Sequence, residues 1–358
     1  MSDASSVPAS EAPPAAPPAP EADALVDAWP NARPFRLDGW LERNGFRPIW
    51  TALLVLISGF VAFNVVGGVF QAFAIIPDLL AASEGADIAQ DDIMAAMADN
   101  IDAVLIGNTV GQFVGLALFT WLVVRLHTRQ RAPYLRLRVP DGPALALSAV
   151  GWVVMVPAIQ WLGTLNQKIP LPERLKRFEE VQIDFINGAL LGGDISTLAL
   201  FFGLAITPSL CEELFFRGYI QRQVERKWGA LASILIVGIV FGLYHFRLSQ
   251  AIPLSLLGIY MGYVVWATGS LWSGFLVHLL NNGFAVVVAG WARSTPDVDL
   301  EAIEAAGVPW YYGVLGLLLA AGVSVLLHKR RLAVVGERPD AQPVAAAAPL
   351  SPTPLPTP

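Results

Sequence analysis

The sequence is poor in charged residues, because only 15% of its 358 residues are Asp, Glu, Lys or Arg. A soluble domain usually carries about 25% charged residues, and here 55% of the residues are hydrophobic. Together these values exclude an ordinary soluble globular protein. The single cysteine, Cys211, excludes an intramolecular disulfide and any metal cluster built from cysteines. No basic patch with interleaved aromatic residues stands out, so nucleic acid is not an expected partner.

Both ends of the sequence are rich in proline and alanine. Residues 1–45 include APPAAPPAPEADA, and residues 332–358 end in AAAAPLSPTPLPTP. Segments of this composition cannot bury enough apolar surface to fold, so we expect two disordered tails. The N-terminal tail lacks a basic segment followed by an apolar core, and it therefore does not resemble a signal peptide.

Between the tails, apolar runs recur at the length that a membrane-spanning helix needs, about 20 residues. We predict an all-α fold, a polytopic membrane helical bundle of about eight transmembrane helices. The predicted spans are residues 49–77, 102–126, 142–165, 196–220, 230–247, 251–268, 272–291 and 309–328. Basic clusters precede the first span and follow the second, fourth and eighth. The positive-inside rule then predicts that both termini are cytoplasmic. The Ala-, Pro- and Arg-rich composition suggests a bacterial inner membrane.

The connection of residues 166–195 contains a further predicted helix with a partly apolar side. The residues on that side are Leu175, Phe178, Val181, Ile183 and Phe185. Such a helix lies either along the membrane interface or on the surface of the protein.

Two adjacent carboxylates, Glu212 and Glu213, stand with Arg217 inside the fourth apolar run. Charges at membrane depth cost roughly 2.5–3.5 kcal/mol each on insertion scales, so they are rare and usually functional. Glu213 and Arg217 share one helical face and can neutralise each other. Glu212 points about 100° away and needs a partner from another helix. The candidates for that partner are His245 and His278.

Two further motifs supply these histidines: FGLYH, which ends at His245, and HLLNN, which runs from His278 to Asn282. If the chain turns back near residues 228–229, Glu212 and His245 each lie about 16 residues, or roughly 24 Å, from the turn. An antiparallel hairpin then sets them level. His278 and Asn282 lie four residues apart and share one face of the seventh span. We therefore predict a single cluster formed by Glu212, His245, His278 and Asn282.

The residue types in this cluster favour hydrolysis. A carboxylate in an apolar pocket can act as a general base toward water. Imidazoles can hold that water, bind Zn²⁺ or stabilise an oxyanion, and an asparagine amide is a neutral hydrogen-bond donor. None of the four residues is a strong nucleophile, so water is the expected attacker on an amide bond. The alternative use of such residues is a polar network that joins helices.

Taken together, the three motifs resemble those of the CPBP family of intramembrane proteases over about residues 197–290. The motifs are EExxxR (Glu212, Glu213, Arg217), FxxxH (Phe241, His245) and HxxxN (His278, Asn282). This family contains the CAAX-processing endopeptidases of eukaryotes and bacterial relatives linked to bacteriocin immunity. The resemblance implies that Glu212 activates the attacking water with the help of His245. It further implies that His278 and Asn282 stabilise the oxyanion, and that Glu213, Arg217 and Phe241 support the site structurally.

The resemblance leaves the metal requirement open, because family members have been described both as metalloproteases and as metal-independent glutamate-type proteases. A metal-dependent site would bind Zn²⁺ through Glu212, His245 and His278, with Glu213 as the candidate base. A metal-free site would need no cofactor. The expected partners are the lipid bilayer and a peptide or membrane-protein substrate.

The resemblance also divides the chain between the tails. Residues 46–195 would form N-terminal transmembrane helices and an interfacial connection, residues 196–292 a CPBP-like catalytic core, and residues 293–331 the last external loop and helix. Two other functions use the same residues differently. The first is a non-proteolytic bacteriocin-immunity or scaffold protein that binds a peptide or partner. The second is a small transporter, against which no inverted repeat or pair of broken helices is found.

Overall fold

A computed structural model describes residue 29 and residues 35–83, 88, 90–191, 195–295 and 307–336. Its long helices are α1 (Pro48–Ser83), α2 (Ile101–Val124), α3 (Gly142–Gln167), α4 (Glu173–Leu191), α5 (Thr197–Tyr244), α6 (Ala251–Thr268), α7 (Leu271–Ser294) and α8 (Trp310–Gly336). Short helices cover Trp40–Arg43, Gln90–Asp99 and Arg131–Tyr134. Seven of the described helices, α1–α3 and α5–α8, are long and apolar enough to cross a membrane. This confirms the predicted polytopic helical bundle.

Helix α5 is 48 residues long and consists of two antiparallel arms. At Gly229 the backbone has φ 79° and ψ 177°, a conformation that glycine adopts readily and other residues do not. The rings of Phe216 and Phe241 lie 5.3 Å apart. In one continuous helix these residues would be about 37 Å apart. The predicted hairpin is therefore confirmed, with the arms α5a (197–228) and α5b (230–244). The seven candidate spans count both arms as one helix, whereas the sequence predicted them as two separate spans.

Helix α6 packs closely against α5b because small residues face each other. A Cβ built on Gly238 would lie 2.5 Å from the backbone nitrogen of Ile259, and one on Gly258 would lie 2.6 Å from the Gly238 carbonyl. Glycines allow helix backbones to approach in this way inside a membrane. The close approach brings the Gly258 carbonyl next to the charged residues of α5a.

The segment before α1 packs onto the basic end of α5a. Residues 35–45 fall within the predicted tail of residues 1–45, but Phe35 is buried and the Glu42 carboxylate forms a two-point ion pair with Arg226. The folded part of the chain therefore begins before residue 46. Residues 1–28 of that tail, residues 337–358 of the other and residues 296–306 of the predicted last external loop lie outside the described residues.

Glu42 also belongs to a buried network at this end of the protein. His127 Nδ1 donates to Glu42 at 2.6 Å, and His127 Nε2 accepts from the Tyr219 hydroxyl at 2.8 Å. Burial lowers the pKa of His127 and outweighs the opposite effect of the Glu42 hydrogen bond. Arg226 already neutralises Glu42, so the network needs no positive charge on His127.

The helix predicted within residues 166–195 is present as α4. Leu175 and Phe178 are exposed on it, whereas Glu179 is buried. Leu175 and Phe178 thus face outward, and the position of α4 along the membrane interface stays a prediction.

Candidate active site

The two glutamates lie on an irregular stretch of α5a. Residues Phe201–Ile206 and Leu214–Ile220 are π-helical, and the α-helical segment Thr207–Glu213 between them carries both carboxylates. Pro208 has no backbone N–H to donate to the preceding turn, and the π-helical segment Phe201–Ile206 lies directly before it. Wide turns of this kind occur frequently at functional sites.

Glu213 is completely buried, and its Oε1 accepts from two donors. Arg217 Nη1 donates at 2.7 Å, and His278 Nδ1 donates at 3.1 Å. The expected ion pair between Glu213 and Arg217 is therefore present, with both side chains fully shielded from solvent. Arg217 also donates to the Gly258 carbonyl at 3.1 Å, and its guanidinium lies 4.3 Å from the centre of the Phe241 ring. These contacts hold the guanidinium in place and stabilise its positive charge inside the protein.

Gly274 lets α7 approach the buried carboxylate. A Cβ at this position would lie 2.6 Å from Glu213 Oε2 and 2.6 Å from Val265 Cγ2. A side chain at residue 274 would therefore separate α7 from α5a. His278 follows one turn later on the same helix, so the same close approach brings its imidazole to Glu213.

His245 ends α5b and points its ring into the same region. Its Nδ1 donates to the Phe241 carbonyl at 2.8 Å, so the neutral imidazole carries an unprotonated Nε2. The Phe241 ring contacts both histidines, with centroids 4.8 Å from His245 and 5.6 Å from His278. Both imidazoles therefore pack against the same aromatic ring. Glu212 and His245 lie equally far from the turn of the hairpin, as Phe216 and Phe241 do.

Glu212 is less completely paired than its neighbour. Its Oε2 is buried without a hydrogen-bond partner among the described residues, although Glu212 interacts electrostatically with Arg217 and with the Tyr244 hydroxyl. The sequence suggested His245 or His278 as its partner. The structure gives the Nδ1 hydrogen bond of His278 to Glu213 instead.

Asn282 lies one turn beyond His278 and is held against α5a. Its Nδ2 donates to the Leu204 carbonyl at 3.2 Å, and its Oδ1 accepts from Asn281 at 3.2 Å. These bonds fix the orientation of the amide and leave its second N–H free to donate. The structure thus brings residues of all three sequence motifs to the facing sides of α5a, α5b and α7.

Two residues that hold the loop after His245 were missed by the sequence analysis. Glu179 of α4 accepts from the backbone N–H groups of Leu248 and Ser249 at 2.6 and 3.2 Å. Asn166 of α3 donates to the Leu248 carbonyl at 2.8 Å and accepts from the Ile252 amide at 2.8 Å. The only signal in the sequence was a carboxylate on the partly apolar side of α4, next to Phe178.

The residues considered above as Zn²⁺ ligands were tested for their fit. Within the described part of the chain, no three His, Cys, Asp or Glu side chains gather closely enough to hold a metal ion. Glu212, His245 and His278 therefore do not fit a three-ligand site as they are arranged.

The comparison with protein families matches the helices that carry the three motifs. Residues 194–284 match the family described as Rce1-like, type II CAAX prenyl endopeptidase. The matched segment covers α5, α6 and the part of α7 that contains His278 and Asn282. No curated protein and no solved structure matches the chain. The match to a family of membrane proteases and the seven apolar helices indicate an integral membrane protein. For residues 194–284, the match confirms the resemblance to the CPBP family of intramembrane proteases that the three motifs predicted.

Proposed function

We propose that this protein is an intramembrane endopeptidase, which hydrolyses a peptide bond of a membrane-associated protein or peptide with water activated by Glu212. One observation carries the proposal beyond the family match. Glu212 forms no hydrogen bond among the described residues, whereas the Oε1 of Glu213 accepts from Arg217 and His278. Glu212 interacts electrostatically with Arg217 and with the Tyr244 hydroxyl. A buried, unpartnered carboxylate oxygen is the group required to take a proton from water.

The reaction begins when Glu212 accepts a proton from water and the oxygen of that water attacks the peptide carbonyl carbon. A carbon–oxygen bond forms, and the electron pair of the carbonyl π bond moves to the carbonyl oxygen. The negative charge thereby passes from Glu212 to the tetrahedral oxyanion. Asn282 donates to that oxyanion from its free N–H. His278 donates from Nε2 when it is protonated, because its Nδ1–H is used by Glu213.

Collapse of the intermediate breaks the carbon–nitrogen bond. The proton held by Glu212 passes to the leaving nitrogen through His245, whose Nε2 is unprotonated in the neutral ring. The products are a carboxylic acid and an amine, and the protein returns to its starting protonation state. The acid proton then passes to the amine, which gives a carboxylate and an ammonium group. Glu213 and Arg217 take no part in proton transfer, since their charges are already matched.

The charge pattern of the connections supports an orientation with both termini in the cytoplasm. The network of Glu42, His127 and Arg226 then lies on the cytoplasmic side. We further propose that residues 196–292 are the catalytic core and that the protein acts in a bacterial inner membrane. Its substrate class is a peptide or protein that reaches the core from the bilayer.

Mass-spectrometric mapping of protein N termini tests this function. Membranes are compared that contain, at matched expression, the wild type, Glu212→Gln or the control Glu173→Gln. The control makes the same chemical change at an exposed residue, which is 66% accessible and paired only with Arg177. We expect new N termini in the wild type and the control, and none in Glu212→Gln.

The same experiment distinguishes the alternative function. Identical N termini in all three membranes, with all three proteins folded, would contradict an endopeptidase. That result would favour an immunity or scaffold protein, which binds a peptide or partner without cleaving it.

A further inference from the structure

We propose that Tyr244 is a further catalytic residue, whose hydroxyl donates a hydrogen bond to the tetrahedral oxyanion. The inference rests on the proposed function and extends it to a residue outside the named positions of the three motifs. Tyr244 directly precedes His245 at the end of α5b.

The Tyr244 ring is fixed by aromatic contacts on two other helices. It packs edge-on against Phe60 of α1 at 5.2 Å and against Phe216 of α5a at 5.0 Å, and it lies 6.3 Å from Phe215. Phe216 follows Glu212 by one helical turn, so the phenol stands beside the side of α5a that carries Glu212. The phenol oxygen consequently has a set position, about which the O–H can still turn.

The hydroxyl of Tyr244 is buried and has no hydrogen-bond partner among the described residues. Buried polar groups are normally paired, so an unpaired one requires an explanation. The other buried or half-buried tyrosines of the described helices all follow the rule. Their hydroxyls bond to protein groups at Tyr134, Tyr219, Tyr260 and Tyr263. Tyr244 is the exception, and the charged group that acts on its hydroxyl is Glu212, whose Oε2 is also unpaired.

An oxyanion at this site needs donors that are not already committed. Both histidines use their Nδ1–H, one toward Glu213 and the other toward the Phe241 carbonyl. Their neutral forms therefore present only acceptors to a substrate. Asn282 has one of its two amide hydrogens on the Leu204 carbonyl. The Tyr244 O–H is a second neutral donor that is available without protonation of a histidine.

The transfer of charge during the reaction gives the hydroxyl its role. Before attack, the negative charge is on Glu212, which interacts with the Tyr244 hydroxyl. After Glu212 takes the proton from water, the charge is on the carbonyl oxygen, and the O–H turns to it. The proton stays on the phenol throughout, so no bond to Tyr244 is made or broken. Removing one such donor lowers kcat by about 10²- to 10³-fold in enzymes with oxyanion holes.

Tyr244→Phe tests this role because it keeps the aromatic packing and deletes only the unpaired hydroxyl. The assay uses purified protein in proteoliposomes and a fluorogenic peptide that spans the cut site found by N-terminal mapping. We expect kcat to fall by about 10²- to 10³-fold, with KM nearly unchanged and the thermal unfolding midpoint equal to or above that of the wild type. Tyr260→Phe is the matched control, since its buried hydroxyl donates to the Ser148 carbonyl at 2.9 Å. It should lower the unfolding midpoint and keep kcat.

The possible results separate this inference from the proposed function. If Tyr244→Phe keeps the wild-type kcat while Glu212→Gln loses cleavage, the role of Tyr244 is overturned and the proposed function stands. If Glu212→Gln also keeps cleavage, both are overturned. A Tyr244→Phe protein that loses kcat only in proportion to a lowered unfolding midpoint would make the hydroxyl structural, which overturns the inference as well.

Discussion

Exchanging Glu for Gln at residues 212 and 213 should separate catalysis from stability. The two substitutions replace one oxygen by an NH₂ group at neighbouring positions, so they form a matched pair. Glu213→Gln removes the negative charge that pairs with Arg217 inside the protein, where both side chains are fully shielded from solvent. Glu212→Gln removes a charge whose Oε2 has no hydrogen-bond partner in the described part of the chain. We expect the first variant to be unstable and the second to be folded but inactive.

The size of the effect at Glu213 follows from the contacts that remain. Removing one partner of a buried ion pair costs about 3–5 kcal/mol, because the other charge stays buried without compensation. Arg217 keeps the Gly258 carbonyl and the face of the Phe241 ring, so we expect the lower end, about 3 kcal/mol. That free energy reduces the folded-to-unfolded ratio by about 10²-fold. At Glu212 no hydrogen bond to Oε2 is lost and a charge at membrane depth is removed, so Glu212→Gln should be at least as stable as the wild type.

Denaturant unfolding in detergent micelles measures the first quantity, and cleavage of the mapped peptide measures the second. The reasoning is refuted if Glu213→Gln unfolds at the same denaturant concentration as the wild type. It is also refuted if Glu212→Gln is the less stable variant. A stable, inactive Glu213→Gln together with an active Glu212→Gln would assign the general base to Glu213.

Four other predictions concern the surroundings of the site. Gly274→Ala brings a Cβ to 2.6 Å from Glu213 Oε2, which should lower the free energy of unfolding by about 1–3 kcal/mol and remove most of the activity. The Cβ of the control Gly322→Ala meets nothing within 4 Å, so this variant should keep both stability and activity. Equal unfolding midpoints of the two variants would contradict this prediction. Glu179→Gln leaves one of the two backbone N–H groups, those of Leu248 and Ser249, without an acceptor. Amide hydrogen exchange in this loop should therefore become faster and kcat should decrease. Unchanged exchange would show that Glu179 does not hold the loop. Burial lowers the pKa of His127 below its usual value of 6.5, so the unfolded chain binds the proton first as the pH falls. The stability should therefore decrease below about pH 6.5, by at most about 1.4 kcal/mol per pH unit. His127→Gln should flatten this slope in pH-dependent unfolding. Cleavage should survive treatment with a Zn²⁺ chelator, and a loss that added Zn²⁺ restores would contradict the glutamate-type mechanism.

The positions of the helices and of the hairpin could be predicted because each depends on a strong local signal. Apolar runs of sufficient length mark the spans, and Gly229 marks the turn because its φ of 79° excludes most other residues. The level pairing of α5a with α5b then follows from counting residues away from the turn. The four-residue spacing of Glu213 and Arg217 predicts their ion pair in the same way.

The distribution of hydrogen bonds inside the site could not be predicted from spacing. A uniform helix puts Glu212 and Glu213 about 100° apart, but it does not decide which of them faces His278. That choice depends on the π-helical stretches on both sides of the glutamates and on the close approach at Gly274. Both are features of packing between helices that a single sequence does not encode in a recognisable pattern.

Long-range contacts to loops were equally invisible in the sequence. Glu179 is separated from Leu248 by 69 residues, and no motif links α4 to the end of α5b. The contact forms because two backbone N–H groups beyond the end of a helix need acceptors, and a carboxylate from a neighbouring helix supplies them. Composition indicates only that α4 has a partly apolar side. It does not reveal that a buried carboxylate of this helix fixes the loop behind a candidate catalytic histidine.

The unequal surroundings of the two glutamates agree with the needs of the reaction. With neutral imidazoles, Glu212, Glu213 and Arg217 leave one net negative charge in an apolar pocket. A charge at membrane depth is unfavourable by roughly 2.5–3.5 kcal/mol, and a second fixed cation beside Glu212 would remove that cost. Such a cation would also remove the tendency of Glu212 to take a proton from water. Without a fixed counter-ion, Glu212 can still accept the proton of the attacking water. Once Glu212 has this proton, the negative charge lies on the substrate oxygen, within the proposed reach of Asn282 and Tyr244. Glu213, whose charge is matched by Arg217, therefore holds α5a and α7 together, while Glu212, which has no ion-pair partner among the described residues, is free to react.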